Sequence, residues 1–253
     1  MILVFGGTTE GKKTAALLES MSLPFVYSTK TNIAFNETKH ASYRYGALNE
    51  TQLEQYLIKN NIQTIVNASH PFAELLHYTI AEVAERLQIS VIHFGRKLLS
   101  KTKHPLVFYV HNYDEALNLL QKNKILLALT GVQSIKRLEP WWQKNKTYFR
   151  ILNRPESFAI ANASNFPENQ LILGLPSAEL DKEIDLITTN NIDVLLTKET
   201  GNSGFLSTKI EAALKTNTQI IIIDQPKIPE YFTTVFSEIE LQKSLTNTST
   251  LWG

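Results

Sequence analysis

Lys198 and Glu199 stand side by side ahead of Thr200-Gly201-Asn202-Ser203-Gly204, and Lys209 follows a short way on. An ammonium beside a carboxylate stays protonated, which makes it a weak acid and a good electrostatic anchor for an anion. A second set near the amino terminus, Gly6-Gly7-Thr8-Thr9-Glu10-Gly11, has the small residues that let backbone N–H groups approach a phosphate. Its glycines do not fall in a strict GxGxxG, so alone it is equally compatible with a tight turn. His70, in Asn67-Ala68-Ser69-His70-Pro71-Phe72-Ala73, is the third candidate, able to contact a ligand or relay a proton. The most basic run lies from Gly95 to His104 and contains Arg96. It reads either as a solvated linker or as a means of holding substrate carboxylates.

These residues need elements to hold them, and the apolar runs supply a consistent set. Ile2–Phe5 reads as a buried strand feeding the glycine loop, and Thr14, Leu17, Leu18 and Met21 mark the face of the following helix. Phe25–Ser28, Ser42–Tyr45, Ile62–Val66 and Ser90–Phe94 read as further strands, with Leu53, Tyr56 and Leu57 on an intervening helix. Pro71 is suited to the first position of a helix whose inner face would be Phe72, Leu75, Leu76, Val83 and Leu87. That would put His70 at a helix amino terminus. Val107–Val110, Ile125–Thr130, Tyr148–Leu152, Leu171–Gly174, Val194–Thr197, Ile220–Ile223 and Thr234–Phe236 continue the strand pattern. Asn112 with Glu115, and Thr208 with Glu211, read as helix caps. The last helix is expected near Glu238–Leu245.

Strands alternating with helices predict an α/β protein of two Rossmann-like parallel-sheet domains with a cleft between them. The domains are expected at 1–104, binding a dinucleotide, and 105–253, binding the substrate. In such a sheet the end of the second strand meets the cofactor ribose, where NAD requires a carboxylate. This chain offers Ser28, Thr29, Lys30 and Thr31 there, which suits the 2′-phosphate of NADPH better than NADH.

The composition narrows the classes further. The 253 residues carry a net charge of +1, too little for a nucleic-acid or anionic-membrane surface. With no cysteine there is no disulfide, thiolate metal site or thiol nucleophile. No apolar run approaches a membrane span, and the first residues read as a strand rather than a leader, so a cytoplasmic monomer or small homo-oligomer is expected.

Several of these motifs occur in one order: the Gly6–Gly11 loop, Ser69-His70-Pro71-Phe72-Ala73, Thr130-Gly131, Arg154-Pro155-Glu156-Ser157, and Thr197-Lys198-Glu199-Thr200-Gly201 followed by Lys209-Ile210-Glu211-Ala212-Ala213. Taken together they resemble the precorrin-6A reductase family of cobalamin biosynthesis, from Ile2 to about Pro226. The resemblance implies a reduced nicotinamide cofactor, NADPH or NADH, delivering hydride to a carbon–carbon double bond of a corrin precursor rich in carboxylates. It implies cofactor contacts at Gly6, Gly7, Thr8, Thr9, Gly11, Ser28, Thr29, Lys30, Thr130 and Gly131. Substrate contacts are implied at Ser69, Thr200, Gly201, Gly204, Lys209, Arg154 and Arg96, with Lys136 and Arg137 as further cations. Lys198, Glu199 and His70 are the implied catalytic set, with the proton donor open among them and water, and no metal is implied. The chain departs from the family in Asn67, where an aspartate is usual, in Leu175-Pro176 after Gly174, and in lacking a tryptophan after the fifth strand.

Three alternatives fit parts of the pattern. A generic dinucleotide oxidoreductase or epimerase would carry Tyr-x-x-x-Lys, which this chain lacks. A cofactor-free tetrapyrrole enzyme resembling uroporphyrinogen-III synthase would share the architecture without the glycine loop, and a dinucleotide sensor would bind without turnover.

Overall fold

A computed structural model describes residues 1–201 and 204–249, so Asn202 and Ser203 of the second glycine loop lie outside the described residues. The chain divides into two units, Leu98–Gln225 and Met1–Lys97 joined by the segment from Pro226 on. This corrects the expected 1–104 and 105–253. The reason is a late strand that returns to the first sheet.

Unit 1 is built from β1 (Ile2–Phe5), α1 (Thr9–Ser20), β2 (Phe25–Thr29), β3 (Ala41–Tyr45), α2 (Glu50–Lys59), β4 (Thr64–Asn67), α3 (Glu74–Arg86) and β5 (Ser90–Phe94). Unit 2 follows with β6 (Val107–Val110), α4 (Tyr113–Leu119), β7 (Leu126–Ala128), α5 (Glu139–Trp142), β8 (Thr147–Ile151), α6 (Pro155–Ala163), β9 (Leu171–Leu173), α7 (Leu180–Thr189), β10 (Val194–Lys198), α8 (Leu206–Lys215) and β11 (Gln219–Ile223). Then β12 (Thr233–Val235) and α9 (Glu238–Ser249) complete unit 1.

Both sheets are six-stranded and parallel throughout. The first runs β3-β2-β1-β4-β5-β12, the strand order of a doubly wound dinucleotide-binding sheet. The second runs β9-β8-β7-β10-β11-β6. It repeats the same winding, except that its outermost strand comes from before the others in the chain rather than after them. In each sheet the strand order reverses once, between β1 and β4 and between β7 and β10. At such a point the loops at the carboxyl ends diverge and leave room for a ligand.

Alternation along the strands explains the packing. Leu3 and Phe5 of β1 face α2 and α3, with Leu53, Leu57, Ile80 and Val83. Ile2 and Val4 face the other way, toward Leu18 of α1 and Leu241 and Leu245 of α9. A sheet covered on both faces needs unbroken apolar strands, and that is why β1 reads as four consecutive buried residues. In unit 2, Leu127, Leu195, Ile220 and Ile222 pack with Ile187 of α7 and Leu206 and Ile210 of α8.

Two helix starts differ from expectation. Pro71 does not open a helix: Ala73 N–H donates to the His70 carbonyl and Phe72 N–H to His70 Nδ1, closing a turn, and α3 starts only at Glu74. Leu75 is consequently 83% exposed, and the buried face is His77, Ile80, Ala81, Val83 and Ala84. Thr208 does not cap α8, which begins at Leu206 behind Phe205 in the left-handed region (φ 52°).

Candidate functional site

Four of the five motifs read from the sequence occupy the carboxyl ends of the four strands that flank the two reversal points, and the fifth, at Arg154, follows β8. In unit 1 the Gly6–Gly11 loop follows β1 and the Ser69–His70 turn follows β4. Thr8 Oγ1 joins them by donating to the Ala68 carbonyl at 2.6 Å, and the same oxygen caps α1 by accepting from Gly11 N–H at 3.0 Å. A side chain on Gly6 would overlap the ring of Tyr27, whose hydroxyl accepts from Gly7 N–H at 3.0 Å. A Cβ on Gly11 would meet Gly6 Cα at 2.7 Å. Gly7 has φ +89° and is exposed, with only Thr29 Cγ2 near where a side chain would be. So two glycines permit close packing, and the third presents backbone to solvent beside the α1 amino terminus, where a phosphate is favoured. Glu10, which would oppose an anion there, is ion-paired with Arg96 at 2.8 Å. This loop therefore fits a dinucleotide. The pairing leaves the Arg96 side chain 11% exposed, so it is not a solvated linker residue.

At the ends of β2 and β3, Ser28 and Thr29 are buried and Lys30 is exposed. Thr29 Oγ1 donates to the Thr31 carbonyl at 2.8 Å and also meets Tyr43 Oη at 2.8 Å. Arg44, in register with Ser28 on β3, donates to Ser28 Oγ and to the Tyr45 and Gly46 carbonyls.

Beneath the Ser69–His70 turn lies a buried chain of polar groups. His77 Nε2–H donates to the Pro71 carbonyl at 3.2 Å, so Nδ1 accepts from Asn67 Nδ2 at 2.8 Å. Asn67 Oδ1 accepts from Ser69 Oγ at 2.7 Å and from Ser69 N–H at 3.3 Å, and His93 Nδ1 donates to the Asn67 carbonyl at 3.0 Å. Burial lowers the pKa of both histidines. For His93 the neighbouring His77 adds to it, and the value falls to about 4. Asn67 thus acts as donor and acceptor together, a pair of roles an ionised aspartate cannot fill. Ser69 is held inward by this bond, while His70 is exposed.

In unit 2, Thr130 and Gly131 follow β7, and Lys198–Gly201 follows β10. Thr130 is buried, with its hydroxyl bonded to that of Ser134, and Gly131 has φ +83° with open space around its Cα. Lys198 is half-buried, its Nζ 5.9 Å from the centre of the Tyr113 ring. Arg137 lies 5.3 Å from the same ring, so two cations gather around Tyr113 at this edge. Lys136 instead pairs with Glu139. Glu199 is 4% exposed and fastened: its Oε2 accepts from Gln225 N–H at 3.0 Å, and its own N–H donates to the Ile223 carbonyl at 2.8 Å. Gly201 turns with φ +61°, and Gly204 leaves no room for a side chain because Thr200 occupies that space. Arg154 is exposed at the start of α6, at the end of β8.

Lys209, in the first turn of α8, is buried rather than open to a ligand. It is 3% exposed, with Nζ 3.4 Å from Thr197 Oγ1. Near it is the buried Arg150–Glu183 pair, whose atoms are 2.6 Å apart. Burial lowers its pKa to about 8, helped by Arg150 and opposed by Glu183. No local pattern signals this set, because Arg150, Glu183 and Lys209 come from three separate elements.

Two doubly wound units with polar loops at their reversal points define an α/β protein of two parallel six-stranded sheets. Comparison narrows that class. Residues 1–243 match the model of the precorrin-6x reductase family, CbiJ/CobK, and the chain belongs to that family. Cobalt-precorrin-6A reductase of Methanocaldococcus jannaschii is 29% identical over 97% of this chain and 98% of its own length. The Methanococcus maripaludis protein of the same name is 32% identical over 70% of this chain and 69% of its own. The solved structure of CobK precorrin-6A reductase superposes with a TM-score of 0.79 at 18% identity, covering 98% of this chain and 96% of that one, and agrees in fold.

Proposed function

We propose that this protein is a cytoplasmic cobalt-precorrin-6A reductase of cobalamin biosynthesis, saturating one carbon–carbon double bond of the corrin precursor with hydride from NADPH. The cobalt form is favoured because the relatives from Methanocaldococcus jannaschii and Methanococcus maripaludis bear that name. The observation that carries the reading is the coincidence of the glycine loop, the Ser69–His70 turn, Thr130-Gly131 and the Lys198 loop with the two reversal points of the sheets. Function-bearing loops concentrate there in open α/β sheets, whereas solvated turns would be scattered.

When bound, the cofactor supplies hydride. The chain's own residues supply position, charge and a proton path. Gly7, Thr8, Thr9 and the α1 amino terminus would hold the pyrophosphate, and Ser28 and Thr29 would face the ribose. Lys198 and Arg137 would hold substrate carboxylates, for which a stem anchored on an aromatic face is well suited. Glu199 fixes the loop rather than donating, since its carboxylate already accepts from the backbone. The second hydrogen arrives as a proton from water or His70.

Anaerobic oxidation of NADPH dependent on cobalt-precorrin-6A is expected, and Lys198→Ala should raise KM for the corrinoid about 10- to 100-fold with dinucleotide affinity unchanged. Dinucleotide binding without turnover of cobalt-precorrin-6A or its metal-free form would favour a sensor. Absence of binding would favour the cofactor-free alternative.

A further inference from the structure

We propose that Arg44, and not Lys30, reads the 2′-phosphate of the dinucleotide and so sets a preference for NADPH over NADH. This rests on the cofactor reading above and adds a residue that the strand pattern alone does not single out.

The position is set by register. Arg44 is the penultimate residue of β3, paired with Ser28 on β2, and in a doubly wound sheet the end of the second strand lies against the adenosine ribose. No carboxylate stands in Ser28-Thr29-Lys30-Thr31 to bind a 2′-hydroxyl or to repel a phosphate. The surroundings of Arg44 differ from those of the other arginines of the unit. Arg96 and Arg86 of the same unit pair with Glu10 and with Glu50 and Glu54. Arg44 has no carboxylate partner among the described residues. Its three hydrogen bonds go to neutral oxygens, those of Ser28, Tyr45 and Gly46. Its guanidinium lies 5.4 Å from the centre of the Tyr56 ring. Five N–H donors in a rigid plane, with three bonds spent on fixing that plane, leave donors for a phosphate at no further ordering cost.

Gly46 makes this arrangement possible. Its φ of +107° turns its carbonyl onto Arg44 Nη2, while its N–H donates to the Thr29 carbonyl at 3.0 Å. The loop after β3 is thereby tied to the end of β2, with the guanidinium between them. A half-buried cation with only neutral partners is held below its usual pKa by desolvation, the condition that a doubly charged phosphate relieves. Lys30 has no such seat: it is exposed.

The test is direct binding by titration calorimetry, without turnover, of NADPH, NADH, 2′,5′-ADP and 5′-AMP to the wild-type chain, Arg44→Gln, Arg44→Lys and Lys30→Gln. The wild type should bind NADPH over NADH and 2′,5′-ADP over 5′-AMP. Arg44→Gln should weaken NADPH and 2′,5′-ADP about 10- to 100-fold and leave NADH and 5′-AMP within about twofold. Arg44→Lys keeps the cation and should retain part of the preference, which also controls for misfolding of the glutamine variant. Loss of preference in Lys30→Gln with Arg44→Gln unaffected would overturn the proposal, as would equal weakening of both dinucleotides. A wild type that binds both equally overturns the proposal and leaves the cofactor reading intact. One that binds neither overturns both.

Discussion

Lys209 keeps its ammonium in the core of unit 2, beside Thr197 and the Arg150–Glu183 pair, and this has a consequence for stability against pH. Below about pH 8 the folded and unfolded chains are both protonated there, and the folded state bears the full desolvation cost. Between about 8 and the ordinary 10.5 the unfolded chain holds a proton the folded one has released, so stability rises with pH across that window. Lys209→Met is expected to raise stability at pH 7 by on the order of 1–3 kcal/mol and to flatten the rise, read from urea midpoints at pH 7 to 10. A rise that persists in the variant would contradict the assignment. The histidines act at the other end of the scale. The unfolded chain takes up a proton at His93 near 6.5 and the folded one only near 4, so stability falls on acidification between those values. His93→Gln should lessen that acid loss in thermal melts between pH 7 and 4.5. Of the candidate site residues, Lys198, Glu199 and the loop glycines stand out in the sequence because they cluster there. Arg44, His77 and Arg150 are not, because each matters through a partner on another element that only sheet register brings near.

The elements are legible to within a few residues wherever apolar runs are unbroken, and less so at their ends. Six helices, α1, α2, α3, α6, α7 and α8, close in one way: Ser22, Asn61, Gln88, Asn165, Asn191 and Asn217 adopt positive φ two residues after the helix. The next residue's N–H then reaches back into the last turn, as Ile62 does to Leu57 and Ile192 to Ile187. Asparagine followed by an apolar residue is the available signal at three of them, Asn61, Asn165 and Asn191. Pro71 misleads because a turn fixed by His70, with the proline itself buried, also satisfies a proline. β12 is legible as a strand but not as a member of the first sheet, since parallel pairing with β5 leaves no local trace. It yields a clear expectation. Residues 98–225 expressed alone should unfold cooperatively in denaturant, whereas residues 1–104, deprived of β12, Leu241 and Leu245, should not. Cooperative unfolding of 1–104 would contradict the division of the chain at Lys97 and Pro226.

For the whole molecule, membership of the precorrin-6x reductase family and a repeated doubly wound fold account for why its polar loops are where they are. Among the described residues no helix is long and apolar enough to cross a membrane. The reaction proposed has a balance that can be followed atom by atom: one hydrogen from the cofactor as hydride, one from solvent as a proton. The most direct measurement is therefore mass spectrometry of the corrinoid product formed anaerobically with each C4 deuterium epimer of NADPH in water, and with unlabelled NADPH in D2O. One deuterium from a single epimer, and one acquired from D2O, is the predicted result. A reduced product carrying no cofactor label, or no reduced product at all, would contradict hydride transfer as the function of this chain.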